Sequence, residues 1–215
     1  MEIIILNKIL FVIFAYLFGS IPIAYIFYKV RTGGDIRNEG SGNVGGTNVT
    51  RTVGVAAGII TIIADIAKGF IPVMILYFIY PEDLILLSIA AVAVVLGHDY
   101  PVYLKFKGGK GISTSFGVVV GLCAIPFVST AVWLRILPAF IILAVWLVVF
   151  FASRIVSLAS LGAAVATPLS FYFTKYPLAL VIAAICLFAL TFIAHRENIR
   201  RLVKGKEKKL KSKKV

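Results

Sequence analysis

The chain has 215 residues, of which 60% are hydrophobic and 14% are charged. Because water-soluble domains contain about half apolar residues, this composition excludes an ordinary soluble globular protein and predicts an integral membrane protein. The net charge is +13, and both cysteines lie within apolar runs, which excludes a disulfide framework and a cysteine-based metal site.

Seven apolar segments are long enough to cross a bilayer as helices, which requires about 20 apolar residues each. Backbone groups in lipid must be hydrogen-bonded within the segment, so all seven are predicted to be α-helical. The first segment is too long for a cleavable signal peptide. The chain is therefore predicted to be one polytopic membrane domain, residues 1–215, with spans at 4–29, 54–80, 83–103, 112–131, 136–153, 155–174 and 177–195.

The loop after the first span contains the polar segment GSGNVGGTNVTR, residues 40–51. Its GxGxxG spacing does not indicate a dinucleotide site, because that fingerprint needs a preceding β-strand. Glycines let backbone N–H groups surround an anion, and the planar guanidinium of Arg51 suits phosphate. The loop also leads into a helix predicted to begin near Gly54, whose N-terminus favours an anion. We predict a phosphate-binding loop rather than a plain connector, formed by Gly40, Ser41, Gly42, Asn43, Gly45, Thr47, Asn48 and Arg51.

Asp65 and Lys68 lie within the second span, three residues apart and therefore on one face of the helix. Charged side chains inside a membrane are costly, and they are usually paired and often functional. The pair either supports the function or braces the helix bundle, and the sequence leaves both interpretations open.

A second polar stretch, residues 97–111, follows the third span and is rich in glycine and lysine. It is not a Walker A loop, because Lys110 is followed by Gly111 rather than by Ser or Thr. Its backbone N–H groups can still surround a phosphate, with Lys110 as a point charge. The candidate binding residues are His98, Lys107, Gly108, Gly109, Lys110 and Gly111.

Ser157 opens the sixth span and is predicted to hydrogen-bond either a ligand or a helix carbonyl. At the end of the last span, His195 and Asn198 share a helix face, which Arg201 continues. These side chains are predicted to lie at the same membrane level as the two polar loops. The sequence contains neither a metal-ligand motif nor a Ser-His-Asp arrangement, so we expect no metal and no cofactor.

Lysine and arginine concentrate in the cytoplasmic loops of membrane proteins. Both polar loops, the turn at Arg154 and the C-terminal tail hold 18 of the 22 Lys and Arg residues. This bias predicts an N-terminus outside and a C-terminus in the cytoplasm. The basic tail, about residues 196–215, is predicted to attract anionic membrane lipid. We expect no nucleic-acid binding, because no aromatic platform accompanies the tail.

Together these motifs resemble the bacterial membrane family of acyl-phosphate:glycerol-3-phosphate acyltransferases. Residues 40–51 resemble its GSGNxGATNxxR motif, with Gly46 where Ala is usual, and residues 97–111 resemble GHxxPxxxxFKGGKG. Residues 195–207, HRENIRRLVKGKE, resemble HxxNIxRLxxGxE. The segments DIAKG (65–69) and VSLAS (156–160) resemble DxxKG and VSLxS. The resemblance covers almost the whole chain in order.

The resemblance implies a seven-helix protein of the bacterial inner membrane with its active site on the cytoplasmic side. It implies transfer of a fatty acyl group from acyl-phosphate to the 1-hydroxyl of sn-glycerol 3-phosphate, giving lysophosphatidic acid and phosphate. It also suggests a soluble acyl-phosphate synthase as a partner. By matching motif positions, the implied catalytic residues are Ser41, Arg51, Lys110, His195 and Asn198, with Ser157 binding substrate and Asp65 and Lys68 in supporting positions. Glu197, which lies two residues after His195 in the third motif, is also predicted to support the site.

Alternatives remain at this stage. A transporter of an organic phosphate would also need basic loops, although the polar residues gather at one face and no inverted repeat is visible. An acyltransferase using acyl-CoA or acyl carrier protein would keep the fold and change the donor. The proton of the attacking hydroxyl goes either to His195 or to a substrate phosphate.

Overall fold

The computed structural model describes residues 2–126 and 132–210, which form ten α-helices, two short 3-10 helices and no β-strand. The 3-10 helices are Ile36–Asn38 and Val102–Leu104. The all-helical prediction is confirmed for these ranges. The α-helices are α1 (Glu2–Ser20), α2 (Ile23–Thr32), α3 (Gly46–Thr52), α4 (Val55–Ile79), α5 (Leu84–Asp99), α6 (Ile112–Ala124), α7 (Val132–Ser153), α8 (Val156–Phe173), α9 (Leu178–Ala194) and α10 (Arg196–Val203).

Within the described ranges, five helical segments are long and apolar enough to cross a membrane, and the bent pair α9–α10 makes a sixth. Helix α6 has 13 residues, about 20 Å, which is shorter than the hydrocarbon core of about 30 Å. The predicted span 112–131 continues into residues 127–131, which lie outside the described residues. The structure thus supports a multi-pass membrane protein, while seven spans and the orientation remain predictions.

The first predicted span, 4–29, is not one continuous helix. It breaks between α1 and α2 at Ile21 and Pro22. Proline has no backbone N–H and disfavours the helical conformation in the residue before it. At the break, the Ile21 carbonyl oxygen accepts a hydrogen bond of 2.9 Å from the ammonium of Lys68 in α4 as well as one of 3.1 Å from the Ile23 N–H.

Six helices form a closed ring. Helices α4, α5, α9, α8, α7 and α6 each contact the next, and α6 returns to α4. Helix α1 packs outside this ring, against α5 and α4. Large apolar side chains on the outer surface, such as Ile59, Phe140 and Val148, are exposed. Soluble monomers rarely expose so much apolar surface. This outer surface is suited to contact with membrane lipid.

Glycines bring two neighbouring helices of the ring unusually close. A Cβ atom added to Gly69 of α4 would lie 2.0 Å from the Thr114 carbonyl oxygen, and one at Gly117 of α6 would lie 1.9 Å from that of Ile66. Such distances are sterically forbidden, so only glycine fits at either position. Close backbone approach through small residues is a general means of packing membrane helices.

Candidate active site

The ring encloses a cavity of about 600 Å³. One end is lined by the two polar loops and by the residues around the α9–α10 bend, and the other by apolar side chains such as Ile142, Trp146 and Leu187. On α8 the lining extends from Val156 to Thr167, which corresponds to about 17 Å along the helix. The cavity therefore joins a polar mouth to an apolar interior, as an amphiphilic ligand requires.

The first polar loop is folded around the buried side chain of Asn48. Its amide oxygen accepts from the Ser41 N–H at 2.9 Å, and its amide nitrogen donates to the Glu39 carbonyl at 2.9 Å. Gly40 has a φ of +61°, and a Cβ there would lie 2.3 Å from the Asn48 amide oxygen. Asn48 borders the cavity, but these hydrogen bonds use its amide to hold the loop.

Helix α3 was not predicted from the sequence. The helix expected to begin near Gly54 is preceded by this additional short helix, which begins at Gly46 and carries Arg51 in its last turn. A Cβ on Gly46 would lie 2.4 Å from Ile62 of α4. This is a local reason for glycine at position 46, where the motif that the sequence resembles has alanine: Ile62 fills the space that a methyl group would need. The exposed guanidinium of Arg51 borders the cavity.

The second polar loop folds back onto the end of α5. The N–H groups of Gly108 and Gly109 donate to the carbonyl oxygens of Asp99 and His98 at 3.2 Å and 3.0 Å, and that of Gly42 donates to Glu39 at 2.9 Å. The expectation that these three N–H groups surround a phosphate is therefore corrected, because they are already used within the loops. Among the described residues, the N–H groups of Lys110 and Gly111 have no such partner.

His195 lies at the bend, immediately after the last residue of α9. Its Nδ1 is 2.8 Å from the Thr191 carbonyl oxygen. A carbonyl oxygen only accepts, so Nδ1 carries the proton and Nε2 keeps its lone pair. Burial, together with the nearby charge of Lys110, lowers the pKa of His195 to about 4. The imidazole is therefore neutral at pH 7.

Lys110 and Asn198 connect the second loop to α10. The Lys110 ammonium donates to the amide oxygen of Asn198. Burial, and then the charges of Arg201 and Arg51, lower the pKa of Lys110 to about 8, although Glu207 opposes this shift. Lys110 therefore remains mostly charged at pH 7 in an environment that favours an added anion.

Glu207 was not selected from the sequence as a site residue. Its carboxylate accepts from Ser157 at 2.8 Å, from Asn198 at 2.6 Å and from Arg201 at 2.6 Å. Partial burial raises the pKa of Glu207, but these hydrogen bonds outweigh it and lower the pKa below its usual value. A signal was present: Glu207 is the one acidic residue between 198 and 215 and it ends the third motif.

The predicted basic tail is folded in its first half. After α10 the chain turns back, and the Leu210 N–H donates to the Arg154 carbonyl at 2.8 Å. We name residues 204–210 the C-terminal strap. It carries Glu207 and Lys208 to the cavity, so this part of the chain belongs to the site and does not extend freely.

The buried Asp65 and Lys68 form an ion pair with 3.3 Å between Nζ and Oδ1. The Lys68 ammonium is also 3.0 Å from Nδ1 of the buried His98 on α5. The two charges therefore join three helical segments, α4, α5 and the end of α1. Both Asp65 and His98 reach the cavity wall.

The structure brings most of the predicted site residues to one cavity. They are Gly40, Ser41, Asn43, Gly45, Thr47, Asn48, Arg51, His98, Lys110, Gly111, Ser157, His195 and Asn198. Gly42, Lys107, Gly108 and Gly109 do not line it. Glu197, expected to support the site, is exposed and pairs with Arg200 at 2.8 Å, because it projects from the outer side of α10. Arg201 and Glu207 are additional lining residues.

The charge of the mouth suits an anion. Arg51, Lys110, Arg201 and Lys208 border the cavity, together with two acidic side chains, Glu207 and the buried Asp65 that pairs with Lys68. Within residues 2–126 and 132–210, no group of three His, Cys, Asp or Glu side chains is arranged to hold a metal ion.

The sequence matches the model of the glycerol-3-phosphate acyltransferase family over residues 9–205. A glycerol-3-phosphate acyltransferase of Endomicrobium trichonymphae is 45% identical over 206 residues, which cover 96% of this chain and 97% of that protein. The one of Aquifex aeolicus strain VF5 is 42% identical over 202 residues, which cover 94% and 98%.

Two solved structures share the fold. The glycerol 3-phosphate form of PlsY, an integral membrane glycerol 3-phosphate acyltransferase, matches with a TM-score of 0.86 and 40% identity, covering 95% of this chain and 96% of that one. The lysophosphatidic acid form matches with a TM-score of 0.84, 38% identity and the same coverage. The chain therefore belongs to the glycerol-3-phosphate acyltransferase family.

Proposed function

We propose that this protein transfers a fatty acyl group from acyl-phosphate to the 1-hydroxyl of sn-glycerol 3-phosphate, giving lysophosphatidic acid and phosphate as the first acylation of phospholipid synthesis. The observation that carries the proposal is the cavity itself, in which a basic polar mouth is continuous with an apolar interior. The family of the chain and the two PlsY structures, with glycerol 3-phosphate and with lysophosphatidic acid, support it.

In this proposal the mouth binds the phosphate groups and the apolar interior holds the acyl chain. Arg51 and Lys110 hold substrate phosphate, assisted by the N–H groups of Lys110 and Gly111. Ser41 and Asn198 orient the acceptor or stabilise the oxyanion that forms on the carbonyl. Asn43, Gly45 and Thr47 border the phosphates, and Ser157 contacts substrate. Holding the reactants in line and stabilising the developing charge are the main contributions expected.

The reaction forms one C–O bond and breaks another. The 1-hydroxyl oxygen attacks the acyl carbonyl carbon, the bond from that carbon to the phosphate oxygen breaks, and phosphate leaves with the electron pair. The hydroxyl proton must be accepted by a base. His195 has a pKa of about 4, whereas the second pKa of a phosphate group is about 6. We propose that the proton passes to substrate phosphate, and that His195, whose Nδ1 donates to the Thr191 carbonyl oxygen, orients the hydroxyl by accepting its hydrogen bond at Nε2.

Replacing His195 with Ala separates these roles. Loss of an orienting hydrogen bond lowers kcat by about tenfold, whereas loss of a general base lowers it by about 10² to 10⁴. We expect the smaller effect, measured with saturating substrates in detergent micelles. A loss of a thousandfold would assign the base to His195.

The donor is tested directly with purified protein and radiolabelled glycerol 3-phosphate. Palmitoyl-phosphate, palmitoyl-CoA and palmitoyl carrier protein are supplied in parallel, and labelled lysophosphatidic acid is counted. We expect product from palmitoyl-phosphate alone, and none from the Arg51→Ala variant. Product from either thioester would still show an acyltransferase, but one with a different acyl donor. If no donor gives product, uptake of the label into proteoliposomes tests phosphate-ester transport.

The proposal also places the mouth on the cytoplasmic side of the bacterial inner membrane, where a soluble acyl-phosphate synthase can deliver the donor. The Lys and Arg distribution supports this orientation. Single cysteines at Glu82 and Lys107, two exposed positions, test it in a variant whose native cysteines are replaced. A membrane-impermeant maleimide should label Glu82→Cys on spheroplasts and label Lys107→Cys only after lysis. The opposite pattern would reverse the orientation.

A further inference from the structure

One wall of the apolar part of the cavity is formed by a single face of α8. The residues of this helix that line the cavity are Val156, Ser157, Ser160, Ala163, Ala164 and Thr167. They recur every three or four residues, so they lie along one face, and those from Ser157 onward are all small. The hydroxyls of Ser160 and Thr167 each donate to a carbonyl oxygen of the preceding turn at 2.9 Å. Neither hydroxyl proton is therefore left for a ligand, and this wall suits an apolar chain.

The lining of α8 stops where this face reaches its first aromatic side chain. Phe171 follows Thr167 by four residues, so it lies on the same face, about one turn further from the mouth. It is 1% exposed and does not line the cavity. A helical side chain points back toward the N-terminus of its helix, which directs the Phe171 ring toward the turn of Thr167. The wall of small residues thus ends against an aromatic ring.

Two neighbouring helices end their lining in the same way. The lining residue of α6 furthest from the mouth is Val119, and that of α9 is Leu187. One turn further along these helices lie Leu122 and Ala184, which are buried and do not line the cavity. All four belong to the same apolar core cluster as Phe171. On these three helices, the apolar end of the cavity therefore meets a packed core.

The Phe171 ring is held in place by Tyr176, which lies in the turn between α8 and α9. The centroids of the two rings are 4.5 Å apart, and the Tyr176 N–H donates to the Phe171 carbonyl oxygen at 3.0 Å. The Tyr176 hydroxyl donates to the Arg135 carbonyl oxygen of α7 at 2.6 Å. Because Tyr176 is itself buried and fixed at both ends, the Phe171 ring cannot move aside easily for a longer ligand.

We propose that Phe171 determines specificity: it forms the floor of the acyl site and limits the length of the fatty acyl chain that is transferred. The inference rests on the proposed function, which places the acyl chain in the apolar interior. The lining of α8 from Val156 to Thr167 measures about 17 Å along the helix. With a C–C bond of about 1.5 Å, an extended chain advances about 1.25 Å per carbon, so about 14 carbons fill this depth. Myristoyl and palmitoyl chains then reach the floor, and longer chains meet the Phe171 ring.

A chain-length series tests the floor. Acyl-phosphates of even length, from lauroyl to arachidoyl, are compared by their kcat/KM at fixed glycerol 3-phosphate. We expect kcat/KM of the wild type to be highest for myristoyl and palmitoyl chains. Phe171→Ala removes the ring and deepens the site by about one helical turn, about 5 Å. We expect its ratio of arachidoyl to palmitoyl kcat/KM to exceed that of the wild type by about tenfold, as burial of two further methylene groups gives. A wild-type kcat/KM that does not depend on chain length would overturn the inference.

Phe173→Ala is the matched control, because Phe173 lies on the same helix but is exposed on the outer surface. Its chain-length profile should equal that of the wild type, and equal profiles for the two alanine variants would contradict the proposal. Ala164→Leu tests the opposite direction, since it narrows the cavity between the mouth and the floor without removing a core side chain. We expect it to shift the preference toward lauroyl-phosphate, and an unchanged preference would also contradict the proposal. This variant decides if Phe171→Ala does not fold.

Binding separates this inference from the proposed function. Lysophosphatidic acids of increasing chain length, added without an acyl donor, should raise the melting temperature of the wild type progressively up to the palmitoyl chain and no further. In Phe171→Ala the rise should continue to longer chains. This difference, in a protein that makes no lysophosphatidic acid, would support the floor and contradict the acyl transfer. Acyl transfer with the same chain-length profile in the wild type and in Phe171→Ala would contradict the floor and support the acyl transfer.

Discussion

The charge of Lys110 near physiological pH depends on its surroundings. Its pKa is lowered to about 8, so in the free protein the ammonium loses its proton as the pH rises through that value. The ammonium is the form that binds phosphate. Affinity for a phosphate substrate must therefore fall on the alkaline side, while the neutral His195 ring adds no change between pH 5 and pH 7.

We accordingly expect KM for glycerol 3-phosphate to be constant from about pH 7 and to rise above about pH 8, because kcat/KM reports the ionisation of the free enzyme. The measurement is a pH series of initial rates at fixed ionic strength. Lys110→Arg is the matched control, since a guanidinium keeps its charge beyond pH 12. If KM still rises above about pH 8 in this variant, a group other than Lys110 causes the rise.

Glu207 on the C-terminal strap and Glu197 on α10 provide a matched pair of carboxylates. Glu207 accepts from three side chains at the cavity, and Glu197 forms an exposed pair with Arg200. We expect Glu207→Ala to lower the free energy of unfolding by about 1–3 kcal/mol, because donors lose their partner, and to abolish activity. Glu197→Ala should change stability by less than about 1 kcal/mol and keep activity. Thermal unfolding in detergent and a product assay measure both, and similar effects from the two substitutions would contradict the assignment.

At the scale of helices, the glycine contact between α4 and α6 fixes one wall of the cavity. Gly117→Ala places a methyl group where the Ile66 carbonyl oxygen now lies, so we expect a lower melting temperature and a wider separation of the two helices. Gly162→Ala in α8 is the control, because its added Cβ meets only Val145 and Val149 at 3.5 Å, an ordinary contact distance. That variant should be neutral or more stable, since alanine is the better helix former by about 1 kcal/mol. Equal melting temperatures for the two variants would show that the contact is loose.

The long apolar helices were predictable from the sequence, and the short polar ones were not. The spans 54–80, 155–174 and 177–195 agree within a residue or two with α4, α8 and α9, because polar residues bound each apolar run. Helix α3 escaped prediction because its Gly, Thr and Asn residues have low helix propensity. The 63° bend from α9 into α10 could not be predicted either, since the intervening His195 is compatible with a continuous helix.

The site, like the fold, was predictable only in part. The polar motifs predicted which residue types gather at the mouth, because arginine and lysine bind phosphate by their charge and glycines expose backbone N–H groups to it. They could not predict that the N–H groups of Gly108 and Gly109 already donate to the carbonyl oxygens of Asp99 and His98. These hydrogen bonds depend on the path of the backbone, which the residue types do not determine. The role of Glu207 could not be predicted for a similar reason: Glu207 lies near Ser157 only because the chain turns back after α10.

At the scale of the molecule, the C-terminal strap, residues 204–210, borders the cavity mouth. The C-terminal strap reaches Arg154 through a backbone hydrogen bond and Ser157 through Glu207. We expect a chain ending after Val203 to lose acyl transfer, because the mouth loses Glu207. A chain ending after Leu210 keeps the whole strap and should keep most activity. Product formation by equal amounts of the two purified proteins measures this, and an active shorter chain would show the strap to be dispensable.

The hydrogen bond between Lys68 and the Ile21 carbonyl also bears on how the protein enters the membrane. An isolated helix with a central lysine costs about 2.5–3.5 kcal/mol to insert. Helix α1 is synthesised first, and its broken end already holds an acceptor in the bilayer when α4 leaves the translocon. Asp65 travels with Lys68 on the same helix, and His98 arrives later with α5. The proline break thus supplies the first span with a carbonyl acceptor, and we expect Lys68 of α4 to reach it before His98 is synthesised.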